Sequence, residues 1–386
     1  MNLGSPSLEA MRERVNHARL SLASAGASEN LYRLARTLAL LPEHQHSVDW
    51  IDLRADALGL RSECLFRIEQ YASAAEADAQ ILALLTGQPL AERRVQALSR
   101  MAFACMQVAQ HETAFRCAMA AFQLAMQHNF KGHAVVALER TAMCYSLLGD
   151  LTSSERIMTE ALELARQVGD DAFVRSRLSN FMFLSWMIHD NAIERQDWLG
   201  AKNALERVSD IAREGNQLIE SATGFEACLW RSNHAGWLRR SKEYDRARCE
   251  FEAVYATASQ QGWVSITRHA SLELAYIAHA NQHPADALVF ARRTLRDESD
   301  PDGYGLNERA HALMVLVLHG LGRPDQAARH ALAGDHLRHQ KQQQRLAVAE
   351  RLLAIQPSID AALHDCDKLR IEAEIERMRE TRGDAF

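Results

Sequence analysis

The chain has 386 residues, 47% hydrophobic and 24% charged, with 50 acidic side chains against 44 Lys plus Arg for a net charge of −6. That balance excludes a disordered chain and any whole-molecule attraction to nucleic acid or an anionic membrane, so neither is expected as a partner. Only 7 residues are proline, well below the usual share of about 5%, and Ala, Leu, Arg, Glu and Gln are abundant, which excludes an all-β fold.

The opening Met1-Asn2-Leu3-Gly4-Ser5-Pro6-Ser7 has neither a basic start nor an apolar core segment, so no export signal or membrane anchor is expected. Residues 8 to 40 read as a helix pair, with Ser7 as its cap and Gly26 as a stop. This pair forms an N-terminal helical cap over residues 1–49. From about residue 50, long amphipathic segments alternate with short polar or glycine-containing breaks. The breaks fall at Glu69-Gln70-Tyr71, Ala109-Gln110-His111, Gly149-Asp150-Leu151, Asp190-Asn191, Ser241-Lys242-Glu243, Asn281-Gln282-His283 and Gly322-Arg323-Pro324. Gln70, Gln110 and Asp150 are 40 residues apart, Lys242, Gln282 and Arg323 are 40 and 41 apart, and the 92 between Asp150 and Lys242 make two units of 46. About seven repeats are therefore expected over residues 50–335. Each reads as two helices: Val136, Leu138, Ala142 and Tyr145 have helical spacing before one break, and Ile157, Ala161, Leu162 and Ala165 have it after. Beyond residue 335 two more helices are expected, His336 to Ile355 and Asp360 to Arg382, with Pro357 between them. The last carries Ile371, Ile375 and Met378 at helical spacing. Residues 336–386 are thus a C-terminal cap, or helices through which a homodimer forms.

The punctuated units resemble tetratricopeptide (TPR) repeats. One unit offers Tyr145, Leu148, Gly149 and Ala161, another Trp237, Tyr244, Ala247 and Ala253. Tyr71 and Ala74, Ala114 and Ala120, and Leu321, Gly322 and Ala328 supply parts of the same pattern. The resemblance implies an all-α, right-handed α-solenoid of helix hairpins, in which alanine lets paired helices approach closely. The units of about 40 residues, longer than the 34 of the standard repeat, are similar to those of bacterial signalling regulators, yet neither a DNA-binding helix-turn-helix nor a cyclase stretch accompanies them.

In such a solenoid the first helices of successive units line one groove. Arg100, Arg140 and Asn180, at steps of 40, are expected to stack there, with Arg231, Asn233, Arg268 and Arg309 continuing the row. Arginine suits carboxylates and asparagine suits an extended peptide backbone; the competing reading pairs these arginines with acids such as Glu139, Glu273 and Glu308. Trp186 and Trp230, from a tryptophan-rich stretch between residues 186 and 263, are candidate anchors of a ligand wall. No metal set emerges from the histidines: His279 and His283 straddle a break, and the stretch Asp300-Pro301-Asp302-Gly303 lacks the glutamate a calcium loop needs. Seven cysteines without a Cys-x-x-Cys pair point to reduced thiols and a cytoplasmic location. No phosphate loop, dinucleotide fingerprint or nucleophile elbow is present, so neither an enzyme nor a cofactor is expected. The expected role is a non-catalytic scaffold or regulator that binds a protein or peptide; the alternative is a sensory module for a small signal ligand or signal peptide, with its output domain separate or missing.

Overall fold

The computed structural model describes residues 7–21, 27–41, 47–68, 70–219, 224–295 and 305–383, without the side chains of 27, 28, 344, 373 and 375–383. Gly26, the stretch 300–303 and the side chains of Ile375 and Met378 therefore lie outside the described residues. Among those described there are sixteen helices and no strand.

In chain order they are α1 (Leu8–Ser21), α2 (Ala27–Leu40), α3 (Val48–Arg67), α4 (Tyr71–Leu84), α5 (Ala91–Gln107), α6 (His111–Gln127), α7 (Lys131–Leu148) and α8 (Leu151–Val168). There follow α9 (Asp171–Glu194), α10 (Trp198–Ile219), α11 (Gly224–Arg240), α12 (Tyr244–Gln260), α13 (Val264–Ala280), α14 (Pro284–Thr294), α15 (Leu306–Gly320) and α16 (Pro324–Gly383). From α3 onward the helices form seven hairpins, the last made by α15 and the start of α16. Ser7 caps α1 by accepting a hydrogen bond from the Ala10 amide at 3.2 Å.

One turn recurs in all seven hairpins. The amides of Gln70, Gln110, Asp150, Asp197, Glu243, His283 and Arg323 each donate to the carbonyl five residues back, at 2.8 to 3.0 Å. The residue before the donor is left-handed at Ala109, Gly149, Gln196, Lys242, Gln282 and Gly322. This closure satisfies carbonyls that the first helix leaves open and reverses the chain into the second. It also fixes the repeat lengths, which follow from the donor numbers as 40, 40, 47, 46, 40 and 40.

Two expectations are corrected here. The break at Asp190-Asn191 does not occur: α9 continues to Glu194 and turns at Gln196 and Asp197, because the Asp190 carboxylate is engaged by Arg240 and His189 instead of ending the helix. Pro357 does not separate two helices either, since α16 runs through it for 60 residues. The amide that proline lacks would have met the carbonyl of Leu353, a residue 69% exposed, where water can take its place.

The chain divides into two compact units, one of residues 1–164 with 345–386, the other of residues 165–344. In the first, α1 to α3 share a core of Met11, Val15, Leu34, Leu53, Leu60 and Cys64. The following hairpins share another with Ala75, Ala79, Leu98, Met101, Ala114, Cys117 and Ala118. In the second unit, Leu238, Ala247, Phe251, Ala270 and Leu274 pack together, as do Leu272, Ala291, Leu313 and Met314. Ala74, Ala114, Ala161 and Ala247 are buried where paired helices meet, whereas Ala253 and Ala328 face outward and their neighbours Val254 and Ala327 turn inward. Among the described residues no helix is long and apolar enough to cross a membrane.

Candidate functional site

The recurring turn gives each first helix a common register. Ten residues before the turn donor stand Arg100, Arg140, Met187, Asn233, Glu273 and Leu313. Arg100 and Arg140 are therefore equivalent, as their spacing implies. Asn180 is not: the added length of its unit moves it seven residues, two helical turns, ahead of Met187, where it is exposed.

In the second unit, α9, α11, α13 and α15 bring together a network of charged and aromatic groups. Glu273 on α13 is wholly buried, hydrogen-bonded by the Arg239 Nε of α11, and 3.2 Å from an Arg309 Nη of α15. Arg239 and Arg309 both stand over the Tyr276 ring, at 5.2 and 5.7 Å from its centroid. Arg240 donates to both Asp190 carboxylate oxygens, at 2.9 and 2.5 Å, and lies 4.7 Å from the Trp186 ring. Trp186 in turn stacks on His269 with centroids 5.9 Å apart, and His269 reaches the Ser232 hydroxyl at 3.2 Å and the Glu273 carboxylate at 3.7 Å.

The electrostatics of the network are coupled. Burial alone would raise the Glu273 carboxyl, but Arg239, Arg240, His269 and Arg309 overcome it and hold it down at about 2. Burial likewise opposes ionisation of Asp190, and the hydrogen bonds from His189 and Arg240 win, keeping it well below the usual carboxylate range. His269 is pushed down to about 4, chiefly by burial, with the nearby arginines adding to the effect and Glu273 opposing it. Near neutral pH the network thus holds three guanidinium groups, two carboxylates and a neutral imidazole, a surplus of one positive charge. Arg309 is its open edge, with 37% of its side chain exposed against 19% for Arg239 and 4% for Arg240.

The first unit has a cleft of about 970 Å³ on the corresponding helices. Asp52, Asp56 and Gly59 of α3, Arg93, Gln96 and Arg100 of α5, and Phe130 ahead of α7 line it. Arg93 spans Asp52 and Asp56, each at 2.8 Å. Arg100 meets the buried Asp78 at 2.7 Å, and Ser62 donates to the same carboxylate at 2.7 Å. Gly59 leaves room for that guanidinium, since a Cβ there would stand 3.2 Å from an Arg100 nitrogen. Arg140 lies on the Phe103 ring at 4.3 Å.

The remaining sequence candidates fall in different surroundings. Trp230 is buried, with its indole nitrogen donating to Asn216 at 3.0 Å. Asn233 is buried and ties α11 to α9 through the Ser179 carbonyl and hydroxyl, at 3.1 and 2.8 Å. Arg268 is buried between helices, donating to the Thr294 carbonyl and the Asn307 side chain, both at 2.8 Å. These three belong to helix packing rather than to an open face, because each points one helix into the next. Arg231 is exposed. Trp186 and Arg309 join the charged network. Arg239, Arg240, His269 and Tyr276 were missed by sequence spacing, although Glu273 was legible as an arginine partner. The only available signal was the Arg239-Arg240 pair late in a first helix.

No family model matches the chain, and no curated protein matches it. Among solved structures it is similar to a Rap protein complexed with Competence and Sporulation Factor, with 13% identity, a TM-score of 0.52 and coverage of 87% of this chain and 99% of that one. Other similar structures are the apo form of RapI, with 11% identity, a TM-score of 0.49 and coverage of 74% and 96%, and a tetratricopeptide repeat protein from Parabacteroides merdae, with 13%, 0.46, and 80% and 99%. Seven hairpins closed by one recurring turn, with alanines at the helix crossings, agree with the first of these likenesses: the chain is an all-α protein with the tetratricopeptide-type repeat fold.

Proposed function

We propose that the chain is a non-catalytic scaffold or regulator that binds a protein or peptide segment through the faces of its first helices. The observation that carries this reading is the network around Glu273. Its arginines are held by the buried Glu273, the half-exposed Asp190 and aromatic faces, carry one positive charge in excess of the acids among the described residues of the network, and present Arg309 at the edge. Such a preorganised fork pairs with a carboxylate at little entropic cost. The ligand class is therefore a peptide carrying Asp, Glu or a free C-terminus. The similar Rap protein is solved with the Competence and Sporulation Factor, which supports a regulator of this kind. Arg100 and Arg140 serve as further polar contacts in the first unit, and exposed Asn180 and Arg231 in the second. Seven free cysteines, six of them buried, fit a reducing compartment such as the cytoplasm.

A random-peptide library screened against the chain tests the proposal. The wild-type chain should enrich acidic peptides, and Arg309→Ala should weaken their capture at least fivefold with helicity unchanged. No acidic enrichment, or enrichment indifferent to Arg309, overturns it.

A further inference from the structure

The second half of α16 belongs to the first unit, where it lies against α4 and α6. Val348, Leu352, Ile355, Ile359, Ala362, Cys366 and Leu369 alternate at steps of four and three along it. That is the seam of a helix built to pack against other helices. Leu352, Ile359, Ala362, Leu363 and Cys366 are buried in one apolar cluster with Ala75, Ala79 and Leu82 of α4 and Cys117, Ala118 and Ala121 of α6, and Val348 and Ile355 pack on it. The alanines keep the floor between α4 and α6 low enough to admit a third helix.

Charge fixes the register of this helix. Arg351 reaches back to α4 with a two-pronged bond to Glu76, both arms at 2.9 Å, and a third bond to Ser73 at 3.0 Å. Asp360 meets Arg116 of α6 at 3.0 Å. Asp365 meets the buried Arg94 of α5 at 3.1 Å, and Arg94 also donates to the Leu85 carbonyl at 2.6 Å. Seam and flanking charges together define one ligand chemistry: an amphipathic helix with a basic residue near its start and carboxylates nine and fourteen residues on. The segment that leads into it is the stretch of α16 over residues 336–343, rich in Gln and His, in which no side chain is buried.

We infer that the α4–α6 groove is a receptor for a heptad-patterned amphipathic helix of that chemistry, and that residues 345–371 are its tethered occupant, which closes the groove to a partner's helix until displaced. Because occupant and groove belong to one chain, their pairing is intramolecular, so a free helix of equal quality competes poorly. The groove belongs to the first unit and the charged network to the second, and the inference stands independently of that site.

The probe is a fluorescent peptide with the sequence of residues 345–371, titrated into the full chain by anisotropy. Ile359→Asp with Asp360→Arg frees the groove without altering it, and this variant should capture the peptide at least tenfold more tightly than the wild type. Adding Arg94→Glu and Arg116→Glu to the same variant should abolish the gain. The milder pair Arg351→Glu and Asp365→Arg carries the same comparison if the seam substitution lowers helicity. Equal capture by the wild type and both freed variants, absence of capture, or capture indifferent to Arg94 and Arg116 overturns the inference.

Discussion

Single side chains decide where the second unit is rigid. Gly236 exists because Trp186 lies on it: a Cβ there would stand 2.3 Å from an indole carbon. Gly215 accommodates Trp230 in the same way, with only 1.9 Å available. Neither indole can retreat, since each is closed in by neighbouring helices. Gly236→Ala should therefore lower stability by about 1–3 kcal/mol, the usual cost of overpacking, read as a drop in the midpoint of thermal unfolding; an unchanged midpoint would mean that Trp186 is not seated there. The thiols give an independent check on burial. Cys249 is the exposed cysteine, while burial pushes Cys105 and Cys144 up to about 12 and Cys366 up to about 11. A maleimide at neutral pH should add once to the native chain within minutes, as read by intact mass, and Cys249→Ser should remove that first addition.

At the scale of elements, the hairpin turn is the device that repeats. Glycine fills its left-handed position at Gly149 and Gly322, but Ala109, Gln196, Lys242 and Gln282 bear a Cβ there. A side chain in that conformation costs about 1–2 kcal/mol, partly offset by the lower unfolded-state entropy relative to glycine. Lys242→Gly should thus raise the unfolding free energy and Gly149→Ala should lower it, each by roughly 1 kcal/mol or less, read side by side by calorimetry as opposite shifts of the unfolding midpoint. The same turn explains what the sequence could convey. Breaks with glycine or with a regular 40-residue step were legible, so six of the seven turns fall where spacing put them. The turn at Gln196 has no such mark, and Asp190-Asn191 upstream has the composition of a turn while serving as helix and ion-pair partner. The equivalence of Arg100 with Arg140 was legible for the same reason that the place of Asn180 was not. Pro357 misled in the opposite direction, because the exposed face of a packed helix tolerates a missing amide bond that its buried face would not.

For the molecule as a whole, the network around Glu273 makes stability depend on pH in a direction that can be worked out. In the folded chain His269 titrates near 4, against 6.5 for an unperturbed imidazole, with burial as the first cause. Trp186, Phe251, Ser232 and Glu273 face it from α9, α12, α11 and its own helix, and Arg239, Arg240 and Arg309 stand nearby. Above pH 6.5 folded and unfolded chains both keep the ring neutral, and the full contribution is present. Between 6.5 and 4 the unfolded chain takes up a proton that the folded chain refuses, so stability falls as pH falls. Glu273 adds a second loss lower down, from its ordinary value of 4.5 toward 2, as its carboxylate is forced to accept a proton among arginines. The remaining histidines contribute to any single titration curve, so the informative quantity is the difference between two chains. His269→Phe keeps an aromatic ring beside Trp186 and removes the titration. The unfolding free energy of the wild type minus that of this variant, from urea titrations, should fall as pH is lowered from 6.5 to 5 by up to about 1.4 kcal/mol per unit. A gap that does not change with pH would show that the fold does not hold His269 neutral below pH 6.5.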